Sequence, residues 1–384
     1  MTNVRLWGIA VALVSTLSAA ESRRPIRFDD LVALGRVADP QVSPDGAWVA
    51  YTVTRYSKEK NSGDSDVWLT PAAGGAARQL TRSDRRDNNA RWSPDSKRLA
   101  FISTRDGAPQ VWILELSGGD PRRLTSLSTG ADGVVWSRDG SRLSFTSEVY
   151  PDCADDACNR KRAEAAESSK VKAKIIDRLL FRHWDSWKDG RRTHIFTVAE
   201  SGGAAVDVTP GDYDAPPFSL GGPTDYDLSP DGRELCFARN TDPVEAASTN
   251  SDLWTVPGTG GAPKRITTNP AYDGSPLYSP DGKYIAYRAQ KRAGFEADRF
   301  ELVLYDRATG ESRSLTANLD RPVGSFDWAP DAGSLLFTAE AGGYSPVFQV
   351  SVKGGDARAL IENSFNDDVK VARSFAVFTR QSIS

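Results

Sequence analysis

The sequence of 384 residues is poor in the residue types from which many active sites and metal sites are built. It has two histidines, three cysteines and a single methionine, Met1. Two histidines leave little room for a histidine-rich metal site, and one methionine excludes a methionine-rich adaptable surface. Forty-eight Lys and Arg against 51 Asp and Glu give a formal net charge of −3. This balance offers no excess of positive charge for nucleic-acid binding.

Several enzyme motifs are missing as well. No serine lies in a Gly-x-Ser-x-Gly elbow, so the nucleophile arrangement of α/β-hydrolases is absent from this sequence. There is no Walker loop, no His-Glu-x-x-His and no Gly-x-Gly-x-x-Gly following a strand. His183 and His194 lie close together in sequence, and we expect His194, which opens an apolar strand pattern, to be structural. We therefore expect no catalytic residues, metal or cofactor within this chain.

What the sequence does contain is an internal repeat. The phrase Ser-Pro-Asp-Gly recurs with variations at six places, which begin at Ser43, Ser93, Ser137, Ser229, Ser279 and Ala329. Successive copies are 50, 44, 92, 50 and 50 residues apart, so the long interval holds one period plus an insertion. A period of this length is typical of a propeller or another repeat array. The Asp residues of these turns resemble calcium ligands, but local turn hydrogen bonding is the simpler interpretation.

Each copy has the same pattern of four short strands. A strand leads into the Pro-Asp-Gly turn, an alternating strand follows, and a third strand is joined by a Gly pair or a Thr-Gly turn to a short last strand. Four strands per repeat is the composition of a propeller blade. The sequence thus predicts an all-β fold, a β-propeller at residues 40–384 with six full four-stranded blades.

Two further segments flank the six repeats. Residues 366–384 match the first two strands of another repeat and predict a partial seventh blade. Such a blade leaves an open edge strand, which residues 21–39 or a C-terminal continuation could close. Residues 21–39 form a lead-in segment, in which residues 28–35 are predicted to form a short helix that starts at Asp and stops at Gly.

The third repeat carries the insertion, residues 150–192. Its residues 159–181 are rich in Ala, Glu, Lys and Arg. Apolar side chains recur there at helical spacing, at Val171, Ile175, Ile176, Leu179 and Leu180. We expect a helical arm that packs one apolar stripe onto the propeller or onto a partner.

Three features concern export and cysteine chemistry. Residues 1–20 have a basic residue, an apolar stretch and small residues before position 21, as a secretory signal peptide does; the apolar stretch is too short for an ordinary membrane anchor. We expect a periplasmic or secreted protein without a membrane span after cleavage.

Cys153 and Cys158 are then expected to form a disulfide, because metal binding lacks a second ligand pair. Cys236, in an apolar strand pattern, is expected to be buried.

One cluster of chemically rich side chains stands at the exit of the insertion. It comprises Arg182, His183, Trp184, Asp185 and Trp187. Trp and Arg are the usual anchors of interfaces, so the cluster is a candidate substrate or domain interface. The alternative is that the tryptophans pin the insertion onto its blade, and both roles can coexist.

The repeated phrase resembles the TolB-type propeller repeat. The opening phrase at residues 36–46, the long third-blade insertion and the segment at residues 179–187 resemble more narrowly the N-terminal propeller of dipeptidyl-peptidase 5 and acylaminoacyl-peptidase enzymes of the prolyl oligopeptidase family. In that family the propeller precedes an α/β-hydrolase domain that holds the catalytic Ser, Asp and His. None of those catalytic positions has a counterpart in this sequence.

The resemblance implies a noncatalytic propeller portion of an exported serine exopeptidase. It would gate and orient short peptides over a hydrolase domain supplied in cis or in trans. The alternative is a stand-alone TolB-like periplasmic propeller that acts as a protein-interaction scaffold. TolB proteins carry an α/β domain before their blades, whereas here only about twenty residues lie between the predicted signal and the first blade, which favours the peptidase interpretation.

Overall fold

Six antiparallel four-stranded sheets form the blades of a β-propeller. The structure is a computed structural model, and it describes residues 24–177, 179–183, 185–217 and 225–381, without the side chain of His183. The predicted all-β, six-bladed architecture is confirmed. The predicted signal peptide at residues 1–20 and Trp184 lie outside the described residues.

The strands of each blade follow one another in the sheet in chain order, as strands a, b, c and d from the channel outward. Blades 1 and 2 consist of β1 (Arg36–Val42), β2 (Trp48–Ser57), β3 (Ser62–Pro71), β4 (Arg78–Gln79), β5 (Asp87–Trp92), β6 (Arg98–Ser103), β7 (Gln110–Glu115) and β8 (Arg122–Arg123). Blades 3 and 4 consist of β9 (Asp132–Trp136), β10 (Arg142–Val149), β13 (Arg192–Ala199), β14 (Val206–Asp207), β15 (Tyr226–Leu228), β16 (Glu234–Arg239), β17 (Asp252–Pro257) and β18 (Lys264–Arg265). Blades 5 and 6 consist of β19 (Asp273–Tyr278), β20 (Tyr284–Ala289), β21 (Glu301–Asp306), β22 (Ser312–Ser314), β23 (Val323–Trp328), β24 (Ser334–Ala339), β25 (Val347–Ser351) and β26 (Arg358–Ile361).

A few elements lie outside the six blades. They are α1 (Phe28–Ala33), α2 (Asp156–Ser168), a 3-10 turn at Glu245–Ala247, and the strands β11 (Arg182–His183), β12 (Ser186–Trp187), β27 (Phe365–Ala372) and β28 (Phe375–Gln381). The short helix predicted in the lead-in segment is thus present as α1. Asp30 supports its first turn by accepting a hydrogen bond from the backbone N–H of Arg27 at 2.8 Å.

The serine of the repeated turn explains why the phrase recurs. Ser43 Oγ donates to Asp45 Oδ1 at 2.5 Å and accepts from the backbone N–H of Trp48 at 2.9 Å. Asp45 Oδ1 also accepts from the N–H of Ala47 at 3.0 Å. The same arrangement recurs at Ser93, Ser137, Ser229 and Ser279. The carboxylates of these turns are therefore used in local hydrogen bonding, as predicted.

Neighbouring blades share apolar cores. Phe145 of strand β10 is fully buried against Val111 and Ile113 of strand c of the preceding blade and against Leu124, which directly follows strand d of that blade. The equivalent aromatic residues of blades 2, 4, 5 and 6 are also 0–3% exposed, namely Phe101, Phe237, Tyr287 and Phe337. Cys236 has no exposed surface and is not disulfide bonded, which confirms its prediction as a core residue. Blades 2 to 6 thus bury their second strands against the outer strands of the blade before them.

All connections between strands b and c and between consecutive blades lie on one face of the ring. This follows because successive strands of a blade run in opposite directions. The connection between β10 and β13, residues 150–191, is the longest of them, and we call it the arm. The face that carries it, together with α1, is called the arm face below.

The helical part of the arm is shorter than predicted. Helix α2 ends at Ser168, and the backbone of Ser169 is extended. Ser168 Oγ bonds the carbonyl of Glu164 at 2.7 Å, a side-chain contact of the kind that competes with helix propagation. The apolar residues predicted to form a helical stripe follow the helix instead, and Ile175 is 98% exposed. The helical stripe was therefore a wrong prediction for residues 171–177 and 179–180.

The strands β27 and β28 form a two-stranded sheet between blade 6 and blade 1. Backbone N–H of Val371 donates to Asp327 Oδ2 of blade 6 at 2.8 Å, and N–H of Val369 donates to Ser325 Oγ at 3.2 Å. On the other side β27 and β28 pack against β1. Among the described residues of the lead-in segment, none pairs with β28, because β1 belongs to blade 1 and residues 24–35 contain no strand.

Candidate functional site

The predicted cluster at the exit of the arm forms a small β-hairpin. Arg182 lies opposite Trp187, and the backbone N–H of Lys188 donates to the carbonyl of Phe181 at 3.1 Å. The rings of Phe181 and Trp187 stack with centroids 5.9 Å apart. Lys174 Nζ lies 5.0 Å from the centre of the Trp187 ring, within the range of a cation–π contact. The hairpin thus presents a basic and aromatic surface.

A cavity of about 370 Å³ lies beside this hairpin. Its walls come from the part of the arm that was predicted to be helical and from the residues just after the hairpin, including Ile176, Leu180, Phe181, Trp187 and Arg191. Trp187 is 44% exposed and Phe181 37% exposed. The apolar residues of the arm therefore line an open cavity.

The base of the hairpin is held on blades 3 and 4 by charged side chains. Arg192 donates to Asp212 at 2.8 Å, to Asp214 at 3.1 Å and to Glu245 at 3.0 Å. Lys188 forms an ion pair with the same Asp214, whose side chain is only 4% exposed. This network joins the arm, the connection that follows blade 3 and the 3-10 turn of blade 4.

The members of the predicted cluster have different surroundings. Trp187 is brought against Phe181 and Lys174, whereas exposed Asp185 accepts a hydrogen bond from its neighbour Ser186 at 3.3 Å. Arg182 is exposed on β11. Trp184 and the side chain of His183 are outside the described part of the chain. The interface role of these five residues stays a prediction.

His194 is a structural residue, as predicted. Its side chain is 2% exposed, Nδ1 lies 2.7 Å from Asp207 Oδ2, and Nε2 donates to the carbonyl of Gly211 at 2.8 Å. Gln110 occupies the same repeat position in blade 2 and likewise donates from Nε2 to the carbonyl of Leu127 at 2.7 Å. Each of these side chains ties strand c to the connection that leads to the next blade.

A threonine two residues after strand d completes this contact. Thr125 Oγ1 accepts from the backbone N–H of Val111 at 2.9 Å and donates to Gln110 Oε1 at 2.7 Å. The equivalent threonines Thr81, Thr209, Thr267 and Thr316 accept from the matching N–H groups of their blades. The recurring pair of an aliphatic residue and threonine after strand d is therefore a hydrogen-bonding device of the blade.

The start of the arm is fixed by a disulfide and a helix cap. Cys153 and Cys158 are bonded, with Cα atoms 5.4 Å apart. The Asp155 side chain caps α2 by accepting from the N–H of Cys158 at 2.8 Å. Asp156 Oδ1 accepts from both N–H and Oγ of Ser128, each at 2.7 Å, which anchors α2 to the connection after blade 2.

Several carboxyl groups lie on the inner strands or directly before them. The sequence analysis did not predict them as a group. Burial raises the pKa of Asp227 to about 6, although its carboxylate accepts from the N–H of Tyr278 at 2.8 Å in the next blade. Burial likewise raises the pKa of Asp327 and Asp225. Asp39 accepts from Arg91 at 2.7 Å. These residues lie two or four positions before the first residue of the repeated phrase. Aligning the six repeats with one another would show acidic residues recurring at these two positions.

Two negative findings apply to the described ranges. Within them, no group of three or more His, Cys, Asp or Glu side chains is placed to hold a metal ion. No helix in residues 24–177, 179–183, 185–217 and 225–381 is long and apolar enough to cross a membrane.

The comparisons with known proteins agree with this geometry. The model of the TolB beta propeller domain matches residues 30–157. Dipeptidyl-peptidase 5 of Porphyromonas gingivalis is 30% identical over 356 residues, which are 89% of this chain. The chain is a homologue of the dipeptidyl-peptidase 5 proteins. A second dipeptidyl-peptidase 5, from Porphyromonas endodontalis, is 27% identical over 71% of the chain.

The chain spans about half the length of the curated relatives it matches, 51% and 40% for the two Porphyromonas proteins. Solved structures share its fold. An acylaminoacyl peptidase in complex with Z-Gly-Gly-Phe-chloromethyl ketone matches 92% of the chain with a TM-score of 0.69 at 14% identity, and the chain covers 50% of it. The β-propeller domain of the trilobed protease from Pyrococcus furiosus matches 91% with a TM-score of 0.61, also at 14% identity, and 92% of that domain is covered.

Proposed function

We propose that this chain is the noncatalytic propeller portion of an exported serine exopeptidase of the dipeptidyl-peptidase 5 type. Its role is to gate and orient short peptides over an α/β-hydrolase domain, in cis or in trans. The observation that carries the proposal is homology to dipeptidyl-peptidase 5 over 89% of a sequence that has no Gly-x-Ser-x-Gly elbow.

Two finer structural assignments belong to this proposal. The sheet β27–β28 is the inner half of a seventh blade, since it lies between blades 6 and 1 and joins blade 6 through Asp327 and Ser325. The arm, with α2, is a helical insertion of blade 3. Its hairpin carries the exposed rings of Phe181 and Trp187 on the arm face.

The arm face is the side on which we place the hydrolase domain. The chain enters the propeller there through α1, and the arm with the exposed rings of Phe181 and Trp187 lies on the same face. Exposed aromatic and arginine side chains are favoured anchors of such an interface. We therefore assign Arg182, His183, Trp184, Asp185 and Trp187 to the contact with the hydrolase domain or its peptide substrate.

The proposed location of the protein is consistent with its disulfide. Disulfides persist in oxidising compartments, and the bond between Cys153 and Cys158 fits a periplasmic or secreted protein. The secretory signal proposed at residues 1–20 supplies the route. Labelling of free thiols in protein recovered from the periplasm tests both: modification of Cys153 and Cys158 without prior reduction contradicts the pairing.

The noncatalytic role is tested with the purified chain and aminoacyl or dipeptidyl chromogenic substrates. We expect no turnover. Robust hydrolysis that a serine-directed inhibitor abolishes contradicts the proposal. Sequencing the DNA that follows the codon for Ser384 is the companion test: a reading frame with Gly-x-Ser-x-Gly supports the peptidase assignment, and its absence favours the stand-alone TolB-like scaffold.

The interface is tested by binding. A separately produced α/β-hydrolase domain of a dipeptidyl-peptidase 5 relative is titrated against the chain and against Trp187→Ala. We expect at least a tenfold weaker affinity for the variant, because a half-exposed anchor is lost. Val206→Ala is the control, since Val206 is also 44% exposed but lies on the last strand of blade 3. Equal affinity of Trp187→Ala and the parent chain removes Trp187 from the interface.

A further inference from the structure

We propose that Arg239, at the junction of blades 3 and 4, binds the carboxylate group of a small ligand. The Arg239 site consists of the guanidinium of Arg239 and the rings of Tyr213 and Trp254 that lie against it. None of these three residues belongs to the cluster assigned above to the hydrolase domain, and the inference does not depend on that domain.

The first observation is the position of the guanidinium. Arg239 is the last residue of β16 and is partly buried. Its Cζ lies 3.4 Å from the centre of the Tyr213 ring and 4.9 Å from the centre of the Trp254 ring. A guanidinium stacks on an aromatic ring through its flat face, whereas its five N–H donors lie in its plane. The two rings therefore hold the group in place without accepting its hydrogen bonds.

The second observation is that this cation lacks an anion. Nε of Arg239 is buried and has no hydrogen-bond partner in the described part of the chain. Burial lowers the pKa of Arg239, and no carboxylate among the described residues opposes this effect. A partly buried charge without a counter-charge is costly in free energy. An anion that binds to the edge of the guanidinium offsets this cost.

The carboxylates nearest to the site already serve other cations. Asp252 lies directly opposite Arg239 in the sheet, but it forms its ion pair with Arg265. The two aspartates that flank Tyr213 in sequence both accept hydrogen bonds from Arg192. Pairing Arg239 with one of these carboxylates competes with an existing ion pair. An anion from outside the chain meets no such competition.

Blade 2 shows which group completes a site of this kind. Trp112 occupies the repeat position of Trp254, since each lies opposite the buried phenylalanine of strand b. Arg105 lies over the Trp112 ring, with Cζ 4.8 Å from its centre, and donates to Asp87 Oδ2 at 2.9 Å. The Asp87 side chain has no exposed surface. Blade 4 has the arginine and the tryptophan without the aspartate, so a carboxylate is the ligand group that fits.

The test uses the full chain and N-acetyl-dialanine, whose single charge at neutral pH is its C-terminal carboxylate. The peptide is titrated at constant ionic strength, and the indole N–H signal of Trp254 is followed in proton–nitrogen correlation spectra, where Trp254→Phe assigns it. We expect a saturable shift with the peptide and none with N-acetyl-dialanine amide. An equal shift with the amide contradicts the proposal.

Acetate distinguishes two sources of the same group. A shift with acetate over the same concentration range supports the proposal and shows that the carboxylate alone is bound. A shift with N-acetyl-dialanine but not with acetate supports it and shows that the ligand is the C-terminus of a peptide. The absence of a shift with both compounds overturns the proposal.

Two variants locate the binding group. Arg239→Gln is expected to bind the peptide at least about tenfold more weakly, because a charge-assisted hydrogen bond is lost. Arg55→Gln is the matched control and is expected to bind as the parent chain does. Arg55 also lies over a tryptophan, with Cζ 5.7 Å from the centre of the Trp68 ring, but it is exposed. If Arg239→Gln binds as tightly as the parent chain, the proposal is wrong.

A measurement on the parent chain covers the case in which Arg239→Gln does not fold. Phenylglyoxal modifies accessible guanidinium groups, and mass spectrometry reports the modification of each arginine. We expect a saturating concentration of N-acetyl-dialanine to slow the modification of Arg239 by about tenfold, the ratio that a bound fraction of this order implies. The modification of Arg55 is expected to stay unchanged. Equal rates at Arg239 with and without the peptide would refute the assignment.

Discussion

The guanidinium of Arg192 lies 3.0 Å from Glu245 Oε1, which ties the third strand of blade 3 to the 3-10 turn of blade 4. The same guanidinium bonds Asp214, whose side chain is nearly buried. The arm therefore leaves the propeller at a point where charged groups of two blades converge. The exit of the arm is held by these ion pairs, because apolar residues of its second half, such as Ile175 and Trp187, are exposed.

Arg192→Ala is expected to destabilise the propeller by about 3 kcal/mol, because it leaves the buried carboxylate of Asp214 with less compensation. The measurement is the free energy of unfolding in urea. Arg191→Ala is the control: Arg191 lies 3.5 Å from the exposed Glu148, and a surface pair of this kind contributes about 1 kcal/mol or less. Equal losses in the two variants would contradict the role given to Arg192.

Thr125→Val is expected to lower the free energy of unfolding by about 1 to 3 kcal/mol. It removes the buried hydroxyl that bonds the N–H of Val111 and the side chain of Gln110. Thr125→Ser keeps the hydroxyl and is expected to retain most of the stability. Thermal unfolding of the two variants beside the parent chain gives the comparison. A serine variant as unstable as the valine variant would show that the methyl group, not the hydroxyl, matters.

Stability is expected to fall as the pH rises from about 4 to 7. Burial raises the pKa of Asp273 to about 7 and that of Asp66 to about 6. In this range the unfolded chain has lost protons that the folded chain retains, so deprotonation favours unfolding. The test compares the free energy of unfolding at pH 5 and pH 8.

Asp273→Asn removes one of these groups. Its amide oxygen can still accept from Asn269, which donates to Asp273 Oδ1 at 2.9 Å in the parent chain. We expect a smaller difference in stability between pH 5 and pH 8 for this variant. An unchanged difference would mean that Asp273 does not titrate in this range.

Reduction of the disulfide is expected to loosen the start of α2. Closing a loop of this small size stabilises by about 2 kcal/mol in the chain-entropy model. We expect faster hydrogen exchange at Cys158 and Asn159 in dithiothreitol, with little change in blades 4 to 6. The variant with both Cys153→Ser and Cys158→Ser is the control, because its exchange should not respond to dithiothreitol.

The sequence predicts the blades well because each begins with a local device. The Ser-Pro-Asp-Gly turn is closed by hydrogen bonds among residues only a few positions apart. The turn can therefore be predicted from the four-residue phrase alone. The arm is harder to predict. Apolar residues at helical spacing indicated a helix through residue 181, but Ser168 and Ser169 end it.

The candidate site is less predictable than the fold for a related reason. Trp187 could be singled out as an anchor, but its contacts with Phe181 and Lys174 depend on how the arm folds back. The carboxyl groups of Asp227 and Asp327 become buried only when the ring brings inner strands of different blades together. Their pKa values follow from burial, which no single repeat of the sequence displays.

Blade 6 is built without two of the hydrogen-bonding devices of its neighbours. Ala329 stands where the other turns have serine, and Ile361, opposite Val347, stands where the other last strands have threonine. Both omissions fall beside the two-stranded sheet of β27 and β28. Regions with fewer hydrogen bonds open at lower free energy, so we expect local opening of this propeller to begin at blade 6, on the side of β27 and β28.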